Sequence, residues 1–515
     1  MHGSDTAKSR YMALAMQRSA FEQRARDCAK YTIPSIFPPE GFGATSKLVT
    51  PWQSVGARGV NNLSAKLLLS LMPPNSPFFT LKLDDFKAQR LGAKSRGAFE
   101  QALDRITRAV TTEFEATATR VKIHEVIRLL VVTGNALLFC DPEGGARTYR
   151  LDNYVVRRDD AGHPLLIILK DDYAPESLPA EVREFAKVDA PKGHGAAAED
   201  KRVSVFTVCA RQGDQWDVWQ ECNDVTLPGG GTYPIDRCPM LALRFSSQPG
   251  EDYGRSYVEE YLGDLISLEG LSRAIVEGAA IASKTVWLVR PNSTTRPSAL
   301  ANAPNGAIVE GSEGDVTVVQ ANRAADLRAV QEVIQQITQR LAYAFLMNQA
   351  VQRPGDRVTA EEIRIMAQDL ETALGGIYSL LAVELQLPLV NQTMWGMEQR
   401  GILPPLPKGD VKPAVVTGIE ALGRGNDLNK LDLLISGSMQ ALGAEAVAAR
   451  VDVGEYISRR AAALGIDTQG LILSDAQIQQ QQQQAQMQQM IEKLGPNAIN
   501  AFGKIAGDQL ANKEG

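Results

Sequence analysis

The side chains that could carry chemistry are few, and their spacing argues against most of it. A phosphate-binding loop needs glycine-rich backbone followed by Lys and then Ser or Thr, and neither Gly41 to Lys47 nor Gly229 to Gly231 has that arrangement. His124-Glu125 lacks the second histidine one helical turn on that a zinc hydrolase uses, and His2, His163 and His194 are scattered. Asp84-Asp85, Asp159-Asp160 and Asp171-Asp172 are hard carboxylates of the kind that hold magnesium, but paired acids of this sort more often sit in turns. Cys28, Cys140, Cys209, Cys222 and Cys238 are odd in number, with no close pair and no histidine at ligand spacing. They read as reduced, buried small hydrophobes. No nucleophile, metal site or cofactor site is expected, and the chain reads as a non-enzyme. The remaining candidates are Gln352, Arg353, Asp356 and Arg357, in a loop interrupted by Pro354-Gly355. Its two arginines are the basic residues nearest a candidate functional loop, and the plain alternative is an ordinary helix-connecting turn with exposed charges.

Two helical rods lead into that loop. Ser256 can cap a helix whose apolar positions Val258, Leu262, Leu265, Leu268, Leu271 and Ile275 keep helical spacing to about Ser283, a rod of about 39 Å. A polar insert, Thr285 to Ala321, follows, with Pro291, Pro297, Pro304 and the turn dipeptide Asn305-Gly306 between two short apolar runs, and reads as a small hairpin-bearing module. The second rod, Ala324 to Met347, carries Leu327, Val330, Ile334, Ile337, Leu341 and Phe345 on one face. Beyond the loop, Thr359 with Glu362 forms a capping box for a long helix to about Leu387, where Pro388 should kink or end it.

Further elements support these. Helices are expected at Ala7 to Tyr31, Trp52 to Leu71, Ala93 to Thr119 and His124 to Val132, with Pro34, Pro38, Pro39, Pro73 and Pro74 as breaks. The stretch from Asn135 reads as β-rich, with strands at Ala136 to Cys140, Tyr149 to Val156, Leu165 to Leu169 and Val203 to Ala210. Ala174 to Lys201 reads as a helix or an exposed loop. After a Pro-rich linker, Leu403 to Pro413, a helical set spans about Val415 to Leu473. The glutamine run Gln477 to Gln489 is either disordered or a helix that packs only beside copies of itself.

With 515 residues, 44% of them hydrophobic, the chain can bury a large core in roughly three or four domains. Its formal charge is −6, which disfavours a tight binder of duplex DNA. Asp5, Lys8, Arg10 and Arg18 interrupt any secretory signal, and no apolar run reaches membrane-spanning length, so a soluble protein made in the cytoplasm is expected.

Several strings resemble one family. YTIPSIFP from Tyr31, TPWQSVGARGVNNL from Thr50, GEDYGRS from Gly250, VQRPGDRVTAEEIR from Val351, LGGIYS from Leu374 and GIDT from Gly465 are similar to the portal, or head-to-tail connector, proteins of short-tailed phages that encode their own single-subunit RNA polymerase. The resemblance spans nearly the whole chain. It implies an α+β, mainly α, fold assembled as a ring of about twelve subunits at the capsid's unique vertex. It also implies a division into wing (1–255), first stem helix (256–284), clip (285–323), second stem helix (324–347), tunnel loop (348–358), long wing helix and linker (359–407), crown (408–473) and C-terminal barrel or tail (474–515). Duplex DNA would pass through the channel without sequence readout. The implied partners are copies of the chain itself, the major capsid and scaffolding proteins, the terminase large subunit, a tail adaptor and internal core proteins, with no membrane. The implied place is the virion's portal vertex, after assembly in the host cytoplasm. The competing readings are another virion structural protein, such as a tail-tube or internal core component, and a packaging-associated enzyme.

Overall fold

A computed structural model describes residues 6–43, 46–73, 77–83, 93–141, 144–185, 202–282, 286–319, 324–347, 370, 374–404, 411–415, 432–443, 446–447 and a few positions from 451 to 460. Two units are distinguished, Met1–Ala421 and Leu422–Gly515. In the first, α1 (Ala7–Lys30) is capped by Thr6, whose side chain accepts from Ser9 N. The second helix, α2 (Val55–Leu71), begins three residues later than periodicity suggests, because the amides of Trp52 and Gln53 bond to a distant carboxylate instead of starting the helix. There follow β1 (Phe79–Leu83), α3 (Ala93–Ala116) and α4 (Thr119–Thr133). The last of these runs five residues further N-terminal than expected and ends at Gly134, whose φ of +76° closes it in the left-handed conformation that glycine adopts without penalty.

The β-rich segment forms two antiparallel sheets. One orders β10 (Met240–Arg244), β2 (Asn135–Cys140) and β3 (Ala146–Tyr149). The other has six strands: β4 (Tyr154–Arg158), β5 (Pro164–Tyr173), β6 (Val203–Gln212), β7 (Gln215–Cys222) and β8 (Val225–Thr226) in order, with β9 (Gly231–Pro234) also on β7. The strand expected from Tyr149 to Val156 is two strands separated by a 3-10 turn, Leu151–Asn153, so the chain changes sheets there. Strands β7 to β10 had no clear signal, since polar residues interrupt the first three and β10 is buried throughout and lacks alternation. Of Ala174 to Lys201, a 3-10 turn at Pro175–Ser177 and a short helix at Ala180–Phe185 fall within the described residues.

The first rod is not continuous. Ser256 caps a single turn, α5 (Tyr257–Glu260), and Tyr261 separates it from α6 (Leu262–Ala282), about 31 Å long. In the insert, β11 (Val286–Val289) pairs antiparallel with β12 (Val316–Val319), and Pro297–Ala301 is helical. The second rod is α7 (Ala324–Ala344). Later come α8 (Gly376–Leu381), a π-helical turn Ala382–Gln386 and α9 (Leu387–Gln399). Pro388 therefore does not end the helix. The π turn runs without a break into α9, and the widened turn just before Pro388 accommodates the residue that lacks an N–H. In the stretch read as a linker, Val411–Val415 is strand β13, paired with β1 in register Leu81 to Pro413.

One large core joins α2, α4, β2, β10 and the region from Leu370 to Leu403 to the near ends of both rods, through Leu265, Leu268, Ile337, Leu341 and Phe345. In the second unit, 432–442 is helical, and Asp432 accepts from Tyr456 Oη at 2.6 Å and pairs with Arg460 at 3.3 Å. The glutamine run lies outside the described residues.

Candidate functional site: the base of the paired rods

The GEDYGRS string is a joint. Asp252 Oδ1 accepts from Arg158 N at 2.7 Å, and Tyr253 Oη accepts from Val156 N at 3.1 Å, so two successive side chains fasten β4. Burial pushes the Tyr253 hydroxyl up to about 12, and it stays protonated. Gly254 and Asn135 bond reciprocally: Gly254 N donates to Asn135 Oδ1 at 2.7 Å, and Asn135 Nδ2 donates to Gly254 O at 2.9 Å. A Cβ on Gly254 would lie 2.7 Å from Gly134 O, so glycine is required by space. Arg255 N then donates to Ser246 O at 3.0 Å, and Ser256 Oγ accepts from Glu259 N at 2.9 Å, which starts the first rod. Each residue from Asp252 to Ser256 thus ties the sheets to the rod.

The TPWQSVGARGVNNL string grips the rods from the other side. Glu269, one-third of the way along α6, accepts from Trp52 N at 2.9 Å and Gln53 N at 3.3 Å. Gln53 Nε2 donates to Tyr31 O at 2.7 Å, and its Oε1 accepts from Gly56 N at 2.9 Å, which substitutes for a helix cap. A Cβ on Gly56 would meet Tyr31 O at 2.5 Å, and one on Gly59 would meet the Phe345 ring at 2.6 Å. Asn62 Nδ2 donates to Phe345 O (2.9 Å) and Leu346 O (3.1 Å), and Lys66 Nζ donates to Leu346 O at 2.7 Å.

Those carbonyls belong to the end of the second rod. There Met347 N returns to Ala342 O at 2.7 Å and Leu346 N to Tyr343 O at 3.1 Å, a Schellman closure with Leu346 at φ +54° where glycine is usual. A non-glycine side chain in that region is uncommon, and it persists where its surroundings over-determine it. Here the surroundings are Asn62, Lys66 and an aromatic cluster: Phe345 sits 5.7 Å from Tyr257 edge-on and 5.9 Å from Tyr261. Tyr257 Oη also donates to Ala344 O at 2.7 Å, and Arg340 pairs with Asp264 across the rods at 2.9 Å.

Beneath the joint lies a buried ion cluster. Glu384, in the π turn, accepts from Arg244 N at 3.1 Å, Arg244 Nε at 3.0 Å and Arg244 Nη2 at 2.5 Å, and stands 3.8 Å from Arg158 Nη1. Arg158 spends its remaining donors on Asp252 O, Gly162 O and Ala242 O. Burial holds its guanidinium below the usual arginine range, opposed by Glu384. The geometry binds and orients backbone; nothing in it activates a water or a nucleophile.

The other sequence candidates are dispersed. Gln352, Arg353, Asp356 and Arg357 lie outside the described residues, as do Asp84-Asp85, His2 and His194. Asp159 does sit in a turn, accepting from His163 N at 2.7 Å, and that bond holds its carboxyl below the usual range. Asp171 and Asp172 are not turn residues. They end β5, where Tyr149, Tyr173, Lys170 and Ser204 bond to them. His124 lies on α4, and burial lowers its pKa. Among the described residues, no group of three or more His, Cys, Asp or Glu side chains could hold a metal ion. All five cysteines are free and four are buried, as expected, and the fold brings Cys209 and Cys238, far apart in sequence, to 3.6 Å.

The family described as bacteriophage head to tail connecting protein matches residues 4–472. The portal protein of Enterobacteria phage T3 is 41% identical over 486 residues, covering 93% of this chain and 90% of its own length. That of Escherichia phage T7 is 40% identical over 495 residues, covering 94% and 91%. The chain belongs to the portal protein family. It is a structural connector and not an enzyme, a conclusion that rests on this kinship. The neck of an empty gene transfer agent particle is also similar, 12% identical over 81% of this portal chain and 90% of that one, but a TM-score of 0.38 carries no weight here. In this portal protein the strings beginning at Tyr31, Thr50 and Gly250 meet at the base of the rods. What singled them out in the sequence was their resemblance to the family; the contacts that hold them are with segments far away in the chain.

Proposed function

We propose that the chain closes into a ring of about twelve copies at the capsid's single portal vertex, with duplex DNA passing along the axis. The observation that carries this beyond kinship is the pair of rods, which enter the core at their near ends and expose apolar side chains along their length. Leu265 and Leu341 are fully buried, whereas Ile266, Val276 and Ile281 on α6 and Val333 and Tyr343 on α7 are 44–78% exposed. Apolar side chains strung along rods call for cover, and neighbouring copies supply it. In this reading α6 and α7 are the stem, 285–323 the clip, the sheets with α1 to α4 and α9 the wing, 408–473 the crown, and 474–515 the barrel or tail. Gln352, Arg353, Asp356 and Arg357 form the tunnel loop that meets DNA. The terminase large subunit docks during packaging and the tail adaptor later, while capsid, scaffolding and internal core proteins surround the ring.

The charge fits a conduit. Each copy adds six negative charges, so the ring as a whole has no excess of cations to hold a polyanion fast. Negative-stain imaging of the purified full chain, with particle mass, tests the proposal. A flanged ring with a central channel is expected; a thin hollow tube, or monomers that do not associate, would overturn it.

A further inference from the structure

We propose that Cys209 and Cys238 are a modification site, an oxidisable thiol pair that a hydroperoxide converts to a disulfide locking β6 to the segment entering β10. Cys209 is buried on β6, in the six-stranded sheet, and Cys238 is half-buried two residues before β10, in the three-stranded sheet. Their sulfurs stand 3.6 Å apart, about 1.6 Å beyond a disulfide bond. The bond would close a loop carrying β7, β8 and β9 and add a covalent link between two sheets that already meet through packing and through side-chain hydrogen bonds such as Arg158 to Ala242 O and Tyr149 to Asp171.

The hydrogen bonding orders the two thiols. Cys238 Sγ donates to Met240 O at 3.2 Å, which leaves its lone pairs to accept from Cys209. That contact, and burial behind it, keep Cys209 protonated, well above the ordinary thiol range. Cys238, the more exposed of the two, is where an oxidant arrives. Its sulfur attacks the O–O bond of the hydroperoxide and becomes a sulfenic acid, releasing water when the oxidant is hydrogen peroxide. Cys209 sulfur then displaces hydroxide from Cys238, its own proton leaving with that hydroxide as a second water. Two thiols lose two electrons, and the peroxide takes them. The other cysteines are placed differently: Cys28 contacts Ser256, Cys222 lies on β7, and Cys140 is fully enclosed, its thiol pushed up to about 12. A pair that stays reduced in a cytosol and closes outside it would stiffen the protein after release from the cell.

The test treats the purified full chain with hydrogen peroxide, blocks free thiols under denaturant, digests it and maps the peptides by mass spectrometry. A Cys209–Cys238 linked peptide that reductant releases is expected, with the oxidised chain melting a few degrees above the reduced one. In Cys209→Ser, dimedone should trap a sulfenic acid on Cys238, and the oxidised and reduced chains should melt alike. The proposal fails if both thiols remain free to alkylate after peroxide, if Cys238 links to Cys140 instead, or if it passes to the sulfinic acid uncrosslinked. Should Cys209→Ser not fold, the wild-type map and its melting shift decide alone.

Discussion

Single atoms govern the joint between sheets and rods. Gly56 has no room for a methyl group, because its neighbour at 2.5 Å is the backbone oxygen of Tyr31, which cannot rotate away. Gly56→Ala should therefore cost about 1–3 kcal/mol, the usual penalty for overpacking, seen as a lower thermal midpoint of the purified chain. Glu384 acts through charge. Its carboxylate is the acceptor on which Arg244 closes twice and beside which Arg158 is buried, with side-chain exposures of 14, 8 and 3%. Glu384→Ala leaves two guanidiniums without their counter-charge, and the loss should be about 3–5 kcal/mol in a denaturant titration. A titration midpoint that does not move would show that carbonyls alone hold the two arginines.

At the scale of elements, the rods matter because of how they are held. Both present apolar stripes of helical period; Leu265, Leu268, Ile337, Leu341 and Phe345 join the core, while Ile266 and Tyr343 beside them, and Val276, Ile281 and Val333 further along, are exposed. The end of α7 is set by α2 through Asn62 and Lys66, whose donors satisfy carbonyls that a helix terminus leaves open and whose ammonium favours the negative end of the helix dipole. Replacing both, Asn62→Ala with Lys66→Met, should loosen that terminus by about 1–3 kcal/mol. Hydrogen exchange should quicken in peptides covering Ile337 to Met347 and stay unchanged in β5 and β6; equal quickening in the sheet would mean general unfolding rather than a released cap. The π turn belongs here too. It carries Glu384, which bonds Arg244, and Gln386, which donates to Leu71 O at 2.8 Å.

For the whole molecule, kinship and geometry meet in the ring. Arg353 and Arg357 follow the capped end of α7 in the sequence, so the joint described above determines where the segment that carries them leaves the rod. If those arginines make the transient contacts with DNA, Arg353→Ala with Arg357→Ala should leave ring assembly intact and alter how much packaged DNA a particle retains. Double-variant particles that package and keep DNA as the wild type does would remove that role. Retention, not affinity, is the quantity to measure, because a chain with a charge of −6 has little global attraction for a polyanion.

From the sequence alone one could read the helices, the paired rods, the hairpin in the insert and the absence of familiar catalytic spacing, because helical and strand periodicity, caps and turns are local and each is written within about twenty residues. Tertiary structure decided what was not local. The rod's break at Tyr261 and the sheet change at Leu151–Asn153 were not written in local periodicity, and the late start of α2 and the strand at Val411–Val415 follow from partners elsewhere in the chain. So do the reasons for Gly56, Asn62 and Glu384, whose types looked ordinary until Tyr31, Leu346 and Arg244 stood beside them. Cys209 and Cys238 are the plainest case: widely spaced in sequence, they became a pair only when two sheets packed together, since distance in space is set by the fold and not by spacing along the chain.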